Sequence, residues 1–152
     1  MIITLKRILL AEDSDRDAEL TFNALAQHNL VNQIERVRDD AEALDYLYRR
    51  GQYSSRPSGH PAVVLLDLKM PKVDGLEVLR QMRDDPELKL TPVVVMTSSR
   101  EEQDVVRSYE LGANAYVVKP VKFDEFVNAV KQVGVFWAII NQPPSEGEPK
   151  SD

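Results

Sequence analysis

Short apolar runs alternate along this chain with longer segments in which apolar residues recur every three or four positions. Residues 7–11 (RILLA) form the first run and 34–38 (IERVR) a weaker, alternating one. Residues 62–68 (AVVLLDL) form the strongest, 92–97 (PVVVMT) one nearly as strong, and 115–118 (AYVV) the last. Near-continuous apolarity with many β-branched residues predicts strands covered on both faces, as in a parallel sheet. The intervening stripes have helical spacing. They are Ala18, Phe22 and Leu25; Ala41, Leu44, Leu47 and Tyr48; Leu76, Leu79 and Met82; Val105, Val106 and Tyr109; and Phe123, Phe126, Val127, Val130, Val133 and Trp137. Leu111-Gly112 reads as a helix end with glycine just beyond it. Five strands alternating with five helices predict an α/β fold, a doubly wound five-stranded parallel sheet with right-handed crossovers.

Two segments fall outside the pattern. Residues 51–61 (GQYSSRPSGHP) read as a polar loop between the second helix and the third strand. Residues 141–152 (NQPPSEGEPKSD) read as a polar, proline-rich tail with too little apolar surface to fold alone. Residues 1–140 are then one domain whose last helix is extended, a size consistent with 152 residues in all.

Composition narrows the chemistry. There is no cysteine, so disulfides, thiolate metal sites and thiol nucleophiles are excluded. His28 and His60 are the only histidines and match no motif, so a multi-histidine metal site is excluded too. Nineteen Lys+Arg against 25 Asp+Glu give a net charge of −6, which argues against a nucleic-acid partner held by its phosphates. No apolar run reaches membrane-spanning length, and residues 1–7 lack the order of a signal peptide. The expectation is a soluble, cytoplasmic protein with no membrane partner.

Ligands of open α/β sheets bind beyond the carboxyl ends of the strands. Glu12-Asp13 follow the first strand, Asp67 ends the third, Thr97-Ser98 end the fourth, and Lys119-Pro120 follow the fifth. In a sheet of order 2-1-3-4-5 the first and third strands are neighbours and the three carboxylates converge. Clustered anions repel, and a hard divalent cation such as Mg²⁺ is the natural remedy. An ionised Asp67 beside it can accept a phosphoryl group, with Lys119 and Thr97 facing the transferring oxygens. Each residue alone is unremarkable: an aspartate at a strand end is usually a cap or turn residue, and Glu12-Asp13-Ser14-Asp15 suits a helix N-terminus. The combination on four strand ends carries the reading.

These residues resemble the receiver domain of bacterial response regulators, over roughly residues 6–133. The stretch 67–75 (DLKMPKVDG) is similar to the family's phosphoacceptor signature, Glu12 and Asp13 to its acidic pair, Thr97 to its switch hydroxyl and Lys119-Pro120 to its Lys-Pro. The intervals, 30 residues from Asp67 to Thr97 and 22 from Thr97 to Lys119, fit without a gap. The resemblance implies a flavodoxin-like fold of order 2-1-3-4-5 and a cis Lys119-Pro120 bond. It implies phosphotransfer from a sensor histidine kinase to Asp67 with Mg²⁺ as cofactor. The ion would be held by Asp13, Asp67 and the backbone carbonyl of Lys69, with Glu12 holding a metal-bound water. Thr97 and Tyr116 would be the switch pair. Chemistry would be confined to self-phosphorylation and dephosphorylation at this site, without turnover of a free substrate.

Finer features are similar to single-domain regulators paired with bacterial phytochrome kinases: the 53–61 loop, Thr97-Ser98-Ser99, residues 108–116 and Val135-Phe136-Trp137. With no output domain expected, the signal would leave through a partner, a downstream phosphotransfer protein or a homodimer. Residues 133–140 (VGVFWAII) are apolar around most of a helix, which makes Val135, Phe136, Trp137 and Ile139 candidates for a two-fold interface. The Lys69 side chain should flank the phosphoryl site. Two rivals are disfavoured. A haloacid-dehalogenase-type phosphatase wants a second aspartate where Lys69 stands. A nucleotide- or flavin-binding module wants a phosphate loop where the anionic 12–15 stretch stands.

Overall fold

The structure is a computed structural model that describes residues 7–26, 34–56, 59–68, 75–98 and 112–132. Five short strands, β1 (Ile8–Ala11), β2 (Ile34–Val37), β3 (Val63–Asp67), β4 (Val93–Thr97) and β5 (Ala115–Val118), form one parallel sheet of order β2-β1-β3-β4-β5. The expected order is therefore observed, with strand starts one residue later than the apolar runs in three of five cases. Around the sheet lie α1 (Asp15–Leu25), α2 (Asp40–Tyr48), α3 (Gly75–Asp84) and α4 (Phe123–Gln132). The helix read from Val105, Val106 and Tyr109 lies outside the described residues, so α4 is the helix of the last stripe. Lys69, His28, the 133–140 apolar segment with Val135, Phe136, Trp137 and Ile139, and the 141–152 tail also lie outside them.

Period-two side-chain alternation divides the strands between two cores. Ile8, Leu10, Val63, Leu65, Val94, Met96, Ala115 and Val117 face Ala18 and Leu25 of α1 and Phe126, Ala129 and Val130 of α4. Leu9, Ala11, Val64, Leu66, Val93 and Val95 face Ala43, Leu44 and Leu47 of α2 and Val78, Leu79 and Met82 of α3. Every residue of β1, β3 and β4 is buried, which explains why these strands read as unbroken apolar runs. β2 is an edge strand with only Val37 buried, and it reads weakly for that reason. Within α2 the buried face is shifted from the expected stripe. Ala41 is exposed, whereas Ala43 and Tyr46 are buried with Leu44 and Leu47. Spacing alone allowed either face.

The 51–61 segment is more ordered than a polar loop. Residues Gly51–Tyr53 form one 3-10 turn, and Tyr53 packs edge-on against Tyr46 with ring centroids 5.1 Å apart. Arg56 lies over the other side of that packing, its guanidinium 4.2 Å from the Tyr46 ring and its Nε donating to the Tyr46 carbonyl. Among the described residues no helix is long and apolar enough to cross a membrane.

Candidate functional site

Parallel strands place their carboxyl ends together, and the predicted residues meet there. Glu12 and Asp13 follow β1, Asp67 closes β3, Thr97 closes β4 and Lys119 follows β5. Because β1 and β3 are hydrogen-bonded neighbours, their acids approach: ligand oxygens of Glu12, Asp13 and Asp67 all lie within 4.8 Å of one another. Glu12, Asp67 and Thr97 are buried, and Asp13 is exposed.

Local sequence explains the turn after β1. Ser14 is the N-cap of α1 and its Oγ accepts from Asp17 N at 3.1 Å. Its own N–H donates to Glu12 Oε2 at 3.1 Å. The helix-start reading of 12–15 is therefore observed, and the same turn brings Glu12 and Asp13 beside Asp67. Arg36 of β2 donates to the Glu12 carbonyl from Nε and Nη2, at 3.0 and 2.9 Å, and to Asp15. Asp15 also accepts from Arg38, and hydrogen bonds from Arg36 and Arg38 hold its carboxyl below the usual range.

Lys119 is the hub. Its Nζ donates to Asp67 Oδ2 at 2.9 Å and to Asp17 Oδ2 at 3.1 Å, and lies 2.9 Å from Glu12 Oε1. The Glu12 contact is short but poorly aligned, an ion pair that leaves a buried oxygen without a directed hydrogen bond. Burial pushes the Glu12 carboxyl up to about 7; the Lys119 ammonium opposes the rise and the charge of Asp67 adds to it. Burial would lower the Lys119 ammonium, yet its close contacts with the Glu12 and Asp67 carboxylates and their charges hold it above the ordinary lysine range. One ammonium thus faces three carboxylates besides the exposed Asp13. The cluster is under-neutralised, and its all-oxygen donor set suits a hard divalent cation.

Thr97 and Tyr116, the pair expected to switch, are held by their strands. Thr97 is at the carboxyl end of β4, and its carbonyl accepts from Lys119 N at 2.9 Å. Tyr116 of β5 is half-buried and packs against the α2–α3 core. The Lys119-Pro120 bond is cis, as the resemblance implied. His60 stands at the other end of the sheet, 3.8 Å from Glu87, away from this chemistry. Asp17 is the member that sequence reading missed. Its only signal was its place one turn after Asp13 on α1, which many helix-surface acids share.

The comparisons agree with this geometry. Residues 8–131 match the family described as response regulator receiver domain, and the chain belongs to that family. The response regulator Rcp1 of Synechocystis is 39% identical over 132 residues, covering 87% of this chain and 88% of that protein. Its Mn(2+)-bound crystal structure matches with a TM-score of 0.68, 37% identity and coverage of 92% and 99%. The bacteriophytochrome response regulator RtBRR matches with a TM-score of 0.84 and 59% identity, covering 93% of this chain and 85% of that one. The phosphorylated cyanobacterial phytochrome response regulator RcpA matches with a TM-score of 0.71 and 38% identity, covering 93% and 100%. The protein is a receiver-domain response regulator homologous to phytochrome response regulators. The family binds divalent metal in an acidic pocket, and the Glu12–Asp13–Asp67 cluster fits that chemistry.

Proposed function

We propose that this protein accepts a phosphoryl group on Asp67 from the phosphohistidine of a sensor histidine kinase of the phytochrome type. The observation that carries the proposal is the setting of Asp67. It is a buried carboxylate at a strand end, 2.9 Å from an ammonium and close to two further acids. In the transfer, the P–N bond of phosphohistidine breaks as an Asp67 Oδ–P bond forms. The imidazole leaves with the electron pair and takes a proton from solvent. Hydrolysis then adds water to phosphorus and returns the Asp67 carboxylate.

Asp13, Asp67 and the Lys69 carbonyl would hold Mg²⁺, with Glu12 holding one of its waters. When bound, the ion supplies positive charge that draws the phosphoryl oxygens to the anionic site. Lys119 offsets charge on the same oxygens, and the Thr97 hydroxyl donates to one of them. Tyr116 then follows Thr97 as the switch aromatic. Similarity to a bacteriophytochrome response regulator, to a phosphorylated phytochrome response regulator and to a Mn(2+)-bound response regulator supports this reading. The signal would pass to a downstream phosphotransfer protein or through a homodimer built on Val135, Phe136, Trp137 and Ile139, in the cytoplasm.

The test is intact-mass measurement after incubation with acetyl phosphate, in Mg²⁺ and in chelator, with Asp67→Asn as control. One added phosphoryl group, dependent on Mg²⁺ and missing in the variant, is expected. An adduct that survives the substitution would move the acceptor elsewhere, and no adduct on the wild-type protein would overturn the reading. Transfer from a phytochrome kinase, and sedimentation of a Phe136→Asp variant, test the kinase type and the dimer.

A further inference from the structure

We infer that Asp17 is a positioning residue that holds the Lys119 ammonium back from the phosphoryl site and yields it when Asp67 is modified. The inference rests on the phosphoacceptor reading above and extends it to a residue outside the acidic cluster. It starts from a count of donors. A lysine ammonium has three N–H groups. Lys119 donates to Asp67 at 2.9 Å and to Asp17 at 3.1 Å and is ion-paired with Glu12 at 2.9 Å, so the ammonium is already shared among three carboxylates. A phosphoryl group on Asp67 brings three further acceptor oxygens into competition with those carboxylates for the ammonium.

The three are not equal. The Glu12 and Asp67 side chains are 1% and 4% exposed, whereas that of Asp17 is 37% exposed. Freeing Glu12 leaves a buried carboxylate unsolvated at high cost, and Asp67 is the group that carries the phosphoryl, whereas freeing Asp17 returns a carboxylate to water. Asp17 also has independent support for its charge, since it lies in the first turn of α1, where the helix dipole favours an anion. Its backbone does not need to move. Asp17 N is bound to Ser14 Oγ, and its carbonyl accepts from Thr21 Oγ1. A side-chain rotation alone releases the ammonium. Asp17 thus restrains the unmodified state, and its contact joins residues 102 positions apart, α1 to the end of β5.

The experiment measures affinity for beryllofluoride, a phosphoryl mimic, in saturating Mg²⁺ by calorimetry. It also measures Mg²⁺ affinity alone. Asp17→Asn keeps shape and removes the competing charge. It is expected to tighten beryllofluoride binding about two- to fivefold, the range of a partly exposed ion pair, with Mg²⁺ affinity unchanged or slightly weaker. A merely structural role would not raise one affinity and leave the other. Asp17→Glu restores the charge and is expected to bind as wild type. Asp15→Asn removes an equal charge two residues away, from a side chain paired with Arg36 and Arg38 rather than Lys119, and is expected to change nothing. Unchanged or weaker beryllofluoride binding in Asp17→Asn would overturn the inference, as would an equal gain in Asp15→Asn. Both outcomes leave wild-type binding intact. No binding to the wild-type protein would instead overturn the phosphoacceptor reading and this inference with it.

Discussion

The two ends of the sheet each gather their neighbours around one cation, and they do so with opposite chemistry. At the carboxyl end Lys119 is surrounded by charge: Glu12, Asp17 and Asp67. At the amino end Arg83 of α3 is surrounded by neutral acceptors. Its Nε and Nη2 donate to the Gly112 carbonyl at 3.0 and 2.8 Å, Nη2 also to Asn114 Oδ1 at 2.8 Å, and Nη1 to the Lys89 and Thr91 carbonyls at 3.1 and 3.0 Å. Asn114 completes the arrangement, since its Oδ1 accepts from Val93 N and its own N–H donates to the Val93 carbonyl. The planar guanidinium ties the approaches to β4 and β5 to α3 with every donor used. At the amino end the guanidinium is satisfied within the chain. The other end carries an anionic surplus that calls for a ligand. Stability and responsiveness are thereby kept some five residues of strand apart.

The contrast breaks most visibly by substituting the two cations. Arg83→Met leaves several carbonyls without a donor and is expected to cost on the order of 3 kcal/mol. Urea unfolding should show the same loss with and without Mg²⁺. Lys119→Met removes the counter-charge of two buried acids and is expected to cost about 2 kcal/mol in chelator, less than a fully buried ion because Glu12 can take up a proton. Millimolar Mg²⁺ should restore much of that loss, and equal metal sensitivity of the two variants would erase the distinction. Gly112→Ala comes next. Gly112 has φ +87°, and a Cβ there would lie 2.7 Å from Arg83 Nε. A cost of about 1–3 kcal/mol is expected, again at the amino end only and without effect on Mg²⁺ affinity.

The smallest effect is one of pH. The Glu12 carboxyl sits at about 7 in the folded chain against an ordinary 4.5. Between those values the folded state binds the extra proton. Stability contributed by Glu12 is therefore full below 4.5 and is lost as pH rises toward 7. In chelator the melting temperature should fall by a few degrees across that window, and Glu12→Gln should flatten the fall. A rise with pH in that window that survives Asp15→Asn would show that another acid governs this end.

Much of this was legible in the sequence because strand ends are. The runs that define β1, β3 and β4 are apolar on both faces, so the first polar residue of each stands out, and Glu12, Asp67 and Thr97 are those residues. Asp67 and Thr97 could be named because each is the first polar residue of its apolar run. Asp17 and Arg83 could not. Each is a charged residue on an amphipathic helix, and nothing local separates it from Arg16 or Asp84. Their roles come from contacts to Lys119 and to Gly112, 102 and 29 residues away, which exist only once the strands are ordered. The buried face of α2 was missed for a related reason. Ala41 and Ala43 differ in no chemical respect, and the direction from which the sheet covers the helix decides between them.

The hydrogen bond from Lys119 N to the Thr97 carbonyl sets a tempo as well as a geometry. Hydroxyl and ammonium hang from adjacent strands clamped at that rung, so neither backbone can slide without breaking sheet structure. What remains free is rotation about side-chain bonds, which runs on picoseconds to nanoseconds where local packing permits, far faster than collective rearrangement. If Asp67 takes the phosphoryl group proposed above, its state is then read by which rotamers of Thr97 and Lys119 are occupied.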